Sequence, residues 1–282
     1  MINLLLLNWK STDLIVTRLK ELELIECSLR VIVINNDDEP LCKNYLSNFY
    51  SKELHIVNNE RNLGYAGGNN RGYSYLVKNK LQGDILVVNP DIKLTQNAMN
   101  EIISARELDN FGAAMISAHN ENGQKLYDYI ELRGFTQKWV CSEKEKTYYT
   151  TSYVAGSFFL VARSVIDEIG FFDEKYFLYW EEVDLSIRIR NIGKSLYSLP
   201  SISVQRHSNS IDRIIRSQYY LVRNSFILVE KFHEHFGQVA HKFYLIKQFI
   251  VCCRLAVKVR KMLPINVYFD GFKDGKKIKR KK

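Results

Sequence analysis

Apolar and polar positions alternate along the first half of the chain in blocks rather than singly. Short runs that are apolar at nearly every residue, Ile2 to Leu7, Arg30 to Ile34, Glu53 to Val57, Asp84 to Val88 and Phe111 to Ser117, predict strands. Between them lie segments of helical length that start near Ser11, Leu41, Ala66 and Thr95. Strands apolar on both faces and separated by helices predict an α/β fold, with a mostly parallel central sheet and helices on both faces. Ligands of such sheets bind at the carboxyl ends of the strands.

The second half is less regular. Residues Ala118 to Thr150 are polar and aromatic without a period, and predict an irregular connection with short strands. Thr151 to Arg163 predicts a further strand, followed by a short helix to Ile169, and "SLYSLPSISVQRH" predicts two short strands. A long helix is expected from Asp212 to Phe236, ended by Gly237. A second, Val239 to Met262, mixes Phe243, Leu245, Ile246, Phe249 and Ile250 with Lys242, Lys247, Arg254, Lys258 and Lys261. That is the composition of a basic amphipathic helix; it equally suits a helix packed on the main domain with a solvated basic face.

At 282 residues, 46% hydrophobic and 25% charged, the chain is globular in composition, which excludes disorder for most of its length. Its five cysteines form no C-x-x-C pair and suit reduced thiols. "MINLLLLNWK" lacks the basic start and the apolar length of a signal peptide, and no apolar run approaches the ~20 residues that span a bilayer. A cytoplasmic location is the expectation. The net charge of +9 is concentrated: Lys242 to Lys282 holds thirteen Lys or Arg against Asp270 and Asp274. An anionic membrane surface is the natural partner of this C-terminal region, and nucleic acid is its rival.

Three stretches carry candidate chemistry. In "GDILVVNPDIKL" a buried strand runs into Asn89-Pro90-Asp91, which is either a plain turn or a carboxylate placed to hold a divalent cation. In "NNERNLGYAGGNNRGYSYL" the glycines Gly64, Gly67 and Gly68 precede a helix. They serve either close packing or an anion at the helix N-terminus, and the donors Arg61, Asn62, Asn69, Asn70 and Arg71 favour a phosphate or a sugar. In "YWEEVDLSIRIR" the periodicity allows a strand or a helix. As a helix it opens on Glu181 and Glu182, with Asp184 and Arg188 paired at i, i+4. The pair follows a wall of aromatics from Phe171 to Trp180, a setting that raises carboxyl pKa values and suits a base.

In this order, "LLLNWKS", "VIVINND", "NNERNLGYAGGNNRGY", "DILVVNPDIKL", "VAGSFFLVARSVIDEIGFFDEKYFLYWEEVDLSIRIRNIG", "PSISVQRHSNS" and "YYLVRNSF" resemble the family 2 glycosyltransferases of bacterial surface polysaccharides, especially the rhamnosyltransferase-like branch. The resemblance covers nearly the whole chain. It implies a GT-A fold and inverting, metal-dependent transfer from a nucleotide-diphospho-sugar, a dTDP- or UDP-sugar, with rhamnose the leading donor. It implies a hydroxyl acceptor on a growing, lipid-linked glycan at the inner face of the cytoplasmic membrane, with no nucleic acid as partner. By the same resemblance Asp91 and His207 are the expected ligands of Mg²⁺ or Mn²⁺, Glu182 is the expected base, and Glu181 supports it or binds acceptor. Asn8, Asn35, Asn36, Arg61, Asn62, Gly64, Gly68, Asn69 and Asn89 are the expected nucleotide-sugar contacts. The chain departs from the family at Asn35-Asn36, where Asp-Asn is usual, and at Glu181-Glu182, where Glu-Asp is usual.

The expected organisation is a GT-A catalytic domain over 1–210, with a nucleotide-sugar half to about residue 117 and an acceptor half over 118–210, then a C-terminal helical region with a basic tail over 211–282. The alternatives are a sugar-nucleotide nucleotidyltransferase, which would carry a glycine-rich basic loop where this chain reads "NWKSTD", and a non-catalytic nucleic-acid-binding protein.

Overall fold

Leu4, Leu5 and Leu6 are consecutive and wholly buried. Successive side chains of a strand point to opposite faces, so both faces of this strand are covered. It is β1 (Ile2–Asn8), at the centre of a computed structural model that describes residues 1–144, 146–205 and 210–279. Each such side chain, fully buried, is worth about 1.5–3 kcal/mol relative to exposure.

The first half alternates as β1, α1 (Thr12–Glu23), β2 (Leu29–Asn35), α2 (Lys43–Leu46), β3 (Leu54–Asn58), α3 (Gly64–Lys78), β4 (Asp84–Val88), α4 (Gln96–Ser104) and β5 (Phe111–His119). The helix expected near Leu41 is a single turn. Short strands follow: β6 (Lys125–Tyr127), the hairpin β7 (Tyr129–Arg133) and β8 (Thr136–Val140), and β9 (Tyr149–Thr150). Then come β10 (Phe158–Val161), α5 (Arg163–Ile169), α6 (Glu181–Asn191), β11 (Ser195–Gln205), α7 (Ile211–Lys231), α8 (Gln238–Val259) and α9 (Leu263–Lys279).

Among the described residues the main sheet runs β3-β2-β1-β4-β10-β5-β11-β9, with β6 on β5. The stretch β3-β2-β1-β4 is parallel throughout, and β10 lies antiparallel between β4 and β5. The strand expected over Thr151 to Arg163 is confined to Phe158–Val161, because the residues before it leave the sheet to wrap around α6. The two strands expected in "SLYSLPSISVQRH" are one strand with a register shift between Leu199 and Ser203, where Pro200 has no N–H for the ladder.

Two further expectations change at the C-terminus. α7 ends at Lys231, and Gly237 is the N-cap of α8 rather than the stop of α7. What reads as a basic tail is α9, laid along α7: a Cβ on Gly271 would stand 2.6 Å from the carbonyl oxygen of Tyr219, and one on Gly275 2.8 Å from a ring carbon of Phe226. Ile227, Leu228, Phe236 and Tyr244 belong to the main core. Val222, Phe226, Leu245, Cys252 and Tyr268 form a second, smaller one between the C-terminal helices.

Candidate active site

Parallel register brings Asn8, Asn35 and Asn58 side by side at the carboxyl ends of β1, β2 and β3. The Asn8 amide donates to Asn35 Oδ1 at 2.8 Å, and the Asn35 amide donates to Asn58 Oδ1 at 3.0 Å and to the Glu39 carbonyl at 2.8 Å. Asn36 donates to the Gly64 carbonyl at 2.9 Å and accepts from Asn59 at 2.8 Å. All three of Asn8, Asn35 and Asn36 are buried, so their amides are committed to the protein and hold the shape of the loops. Asp37 closes the rim by accepting the Lys10 N–H at 2.8 Å.

The glycine-rich stretch begins α3. Asn62 accepts the Gly64 N–H at 2.8 Å, and Gly64 adopts a φ of 73°, in the left-handed region, tight against Phe177. The Tyr65 and Ala66 N–H groups, expected to face an anion, donate to the Phe177 carbonyl at 2.7 and 3.2 Å. Gly68 leaves room for Leu7 and Asn36. Close packing therefore accounts for both glycines. Arg61 stands exposed beside them, and the buried Asn69 donates to the Tyr65 carbonyl at 2.9 Å while its Oδ1 finds no hydrogen-bond donor.

Asn89-Pro90-Asp91 leaves β4 as a turn, with the Ile92 N–H donating to the Asn89 carbonyl at 3.0 Å. The Asn89 N–H donates to the Ser157 carbonyl at 2.8 Å. Next to Ser157, Gly156 presses on the Glu182 side chain: a Cβ there would lie 2.8 Å from its Cγ. The Tyr65 hydroxyl donates to the Gly156 carbonyl. Four separate stretches, the Asn89 turn, Gly156-Ser157, the start of α3 and the start of α6, thus meet around one glycine.

The two carboxylates of α6 differ. Glu181 is 1% exposed, and its Oε2 has no hydrogen-bond partner. Burial first, and the neighbouring Glu182 charge second, hold its carboxyl well above the usual carboxylate range. Glu182 is half-buried, at the Gly156 contact. The same pair raises the Tyr65 phenol, after burial, which is the larger cause.

The turn that delivers them is held open by force. Phe177, Tyr179 and Trp180 all have positive φ, at 63°, 66° and 76°, without being glycine. The Asn224 amide on α7 donates to the carbonyls of Tyr176, Leu178 and Tyr179 at 2.8, 2.8 and 2.9 Å. The expected Asp184–Arg188 pair is present at 2.6 Å, and Asp184 is wholly buried, also taking Lys231 and the Tyr176 hydroxyl. These bonds fix where α6 begins.

Asp91 keeps 34% of its side chain exposed, and Arg213, on α7, lies 3.8 Å from it. No cluster of three or more His, Cys, Asp or Glu occurs among the described residues. A small divalent ion bound mainly by substrate phosphates and water needs only one or two carboxylates, so the donor set fits such an ion when a diphosphate is present.

No family model matches the chain. It is 24% identical over 172 residues to the low-salt glycan biosynthesis hexosyltransferase Agl10 of Haloferax volcanii, a match covering 58% of this chain and 55% of that protein. It is 23% identical over 236 residues to the rhamnosyltransferase WbbL of Escherichia coli, covering 78% and 88%. The mannosyltransferase PcManGT of Pyrobaculum calidifontis, solved with GDP-Man and Mn²⁺, superposes with a TM-score of 0.60 at 13% identity, over 82% of this chain and 64% of that one. The chain is thus similar in sequence to hexosyltransferases and rhamnosyltransferases, and its fold is that of the GT-A glycosyltransferases.

His207 lies outside the described residues. Asn89 is linked to Glu182 through Gly156-Ser157, with Glu181 next to Glu182 on α6, while Asp91 stands two residues on from Asn89 within 3.8 Å of Arg213 and Arg61 stays at the exposed edge. Sequence reasoning passed over Tyr65, Gly156 and Asn224. Each lies inside a stretch that carries the family resemblance, but only packing gives it a task.

Proposed function

We propose that the protein transfers a hexose, rhamnose first, from a dTDP- or UDP-sugar to a hydroxyl of a growing, lipid-linked glycan, with inversion. The observation that supports the reading is the link from Asn89 to Glu182 through Gly156-Ser157, which connects the turn carrying the proposed cation ligand Asp91 to the helix start carrying the proposed base. The names of the rhamnosyltransferase and hexosyltransferase relatives support the donor class, and the Mn²⁺ of the mannosyltransferase neighbour supports a divalent ion.

Asp91 would hold Mg²⁺ or Mn²⁺, with His207 as the further proposed ligand; bound there, the ion would offset charge on the departing nucleotide diphosphate. Glu182 takes the proton of the acceptor hydroxyl as its oxygen attacks the anomeric carbon from the face opposite the diphosphate. Glu181 is too deeply buried to reach an acceptor, and burial raises its carboxyl pKa beside Glu182. Two like charges so close would resist ionising together. Asn8, Asn35, Asn36, Asn62, Gly64, Gly68 and Asn69 shape the donor pocket, and Arg61 and Asn89 face it at its rim. The reaction belongs at the inner face of the cytoplasmic membrane, where a lipid-linked acceptor would sit.

The test is a thermal-shift panel of UDP, dTDP, GDP and their sugars, with and without Mn²⁺, on the wild type and Asp91→Ala. A ligand at a hundred times its dissociation constant adds about 2.7 kcal/mol. Metal-dependent stabilisation by dTDP or UDP compounds, lost in the variant, is the expected result; stabilisation by none of them would overturn the proposal.

A further inference from the structure

On α8 the residues Val239, Phe243, Ile246, Ile250 and Val257 are each between 46% and 79% exposed. At about 100° per residue they fall within about 60° of one line along the helix, a stripe about 27 Å long. Lys242 lies on one flank of it, and Lys247, Arg254 and Lys258 on the other. The helix contains no acidic residue. Exposed Met262, Leu263 and Phe269 prolong the apolar surface into α9.

We infer that this face of α8 lies in the headgroup region of an anionic lipid bilayer, with the stripe in the acyl boundary and the flanking cations on lipid phosphates. The inference deepens the lipid-linked acceptor reading and rests on it for its purpose. A surface helix of a monomer gains nothing from an unbroken row of solvated Phe, Ile and Val, whereas an interfacial helix needs that row with cations along its edges. A nucleic acid would use the cations and leave the stripe wet. A second copy of the same face would set like charges against each other. Among the described residues no helix is long and apolar enough to cross a membrane, so the contact is with one leaflet.

The opposite face of α8 fixes what the contact would position. Tyr244 is buried there, with its ring 6.0 Å from that of Trp180, the residue directly before Glu181. The Tyr244 hydroxyl and the Trp180 indole both donate to the Leu221 carbonyl, each at 3.2 Å. One aromatic layer thus separates the lipid-facing helix from the start of α6, and an acceptor sugar on a membrane-held carrier would meet Glu182 close to the bilayer.

The test is co-sedimentation of the full-length protein with vesicles of phosphatidylcholine alone and of equal parts phosphatidylcholine and phosphatidylglycerol. Alongside run a Phe243→Ser/Ile250→Ser variant and a Lys247→Gln/Arg254→Gln/Lys258→Gln variant, with dTDP-sugar thermal shifts on all three proteins. Wild type should bind the anionic vesicles. The apolar variant should lose about tenfold in partition at every salt concentration. The charge variant should lose at least that much, only at low salt. Unaltered thermal shifts in both variants would place the defect at the surface rather than in the donor site. Wild type that ignores anionic vesicles, an apolar variant that binds as well as wild type, or a dimer that the apolar variant dissociates would each overturn the inference. A protein that binds vesicles but no nucleotide would overturn the transferase reading and leave the membrane face standing.

Discussion

Replacing Asn224 with alanine tests whether α7 holds the base in place. The amide of Asn224 has two hydrogens for three carbonyls, so one bond is shared. After truncation the Tyr176 carbonyl still accepts the Leu178 N–H at 2.7 Å, which leaves the Leu178 and Tyr179 carbonyls without the clamp. A buried acceptor left unpaired costs about 1–3 kcal/mol; the Leu178 and Tyr179 carbonyls are only part-buried and within reach of water, so the loss expected for the two together is about 1–2 kcal/mol. The clamp also restrains three non-glycine residues in the left-handed region, a conformation that persists only where the surroundings over-determine it. Released, Phe177 to Trp180 should relax, shift the start of α6 and carry Glu182 off the Gly156 contact. The expected result is a lower urea midpoint with an unchanged slope, and a fall in kcat for nucleotide release that exceeds any change in donor KM. Asn224→Asp, which keeps the shape but sets an acceptor against carbonyl oxygens, should do no better. An Asn224→Ala protein that unfolds at the wild-type midpoint and turns over at the wild-type rate would refute the argument.

Glu182→Gln should lower transfer by about 10²–10⁴-fold while nucleotide thermal shifts stay as in wild type, because general-base assistance is lost and donor contacts are not. Gly156→Ala should reproduce much of that defect in kcat, since the added methyl lands on the Glu182 side chain, and comparing its kcat with its donor-induced thermal shift separates the two effects. Glu181 gives a pH prediction. Its folded pKa is raised, so the stability tied to its proton is fully present below the unfolded value near 4.3 and is lost as pH rises toward the folded one. Glu181→Gln should therefore gain on wild type as pH climbs from about 4 through neutrality, read as the difference in urea midpoints; a constant difference would show that Glu181 is charged in the fold. Gly275→Leu should separate α9 from α7 by striking the Phe226 ring, seen as lower thermal stability with donor binding retained.

Strands β1, β2 and β4 were legible because burial on both faces demands apolar residues without a break, and α4 because Thr95 caps it, accepting the Ala98 N–H at 3.2 Å. α9 was not. Its two glycines lower helix propensity and its lysines imitate a solvated tail, whereas in the fold both glycines fit closely against Tyr219 and Phe226. The asparagine row at the ends of β1, β2 and β3 was equally hidden, since it exists only once the register of three strands is known. The sequence named both glutamates, but adjacent residues on a helix differ by a rotation whose meaning depends on the neighbours. Gly156 lies 26 positions away along the chain, and its contact with Glu182 is what sets the two carboxylates apart.

The departure of this chain from the family at Glu181-Glu182 has a physical reading in that geometry. A glutamate reaches one carbon further than an aspartate, and here the reach is limited by Gly156, whose missing side chain provides the space that the longer Glu182 fills. If that space exists to accommodate the longer side chain, Glu182→Asp should withdraw the carboxylate toward α6 and lose turnover. In the Gly156→Ala background the added methyl would then occupy the space vacated by the shorter residue. The double variant should accordingly recover stability relative to Gly156→Ala alone, and a thermodynamic cycle of the two substitutions should show coupling of about 0.5–3 kcal/mol, as residues in direct contact do. Additive effects in that cycle would mean that Gly156 serves only the Tyr65 hydroxyl and the Asn89 turn, and that the length of Glu182 is incidental to the site.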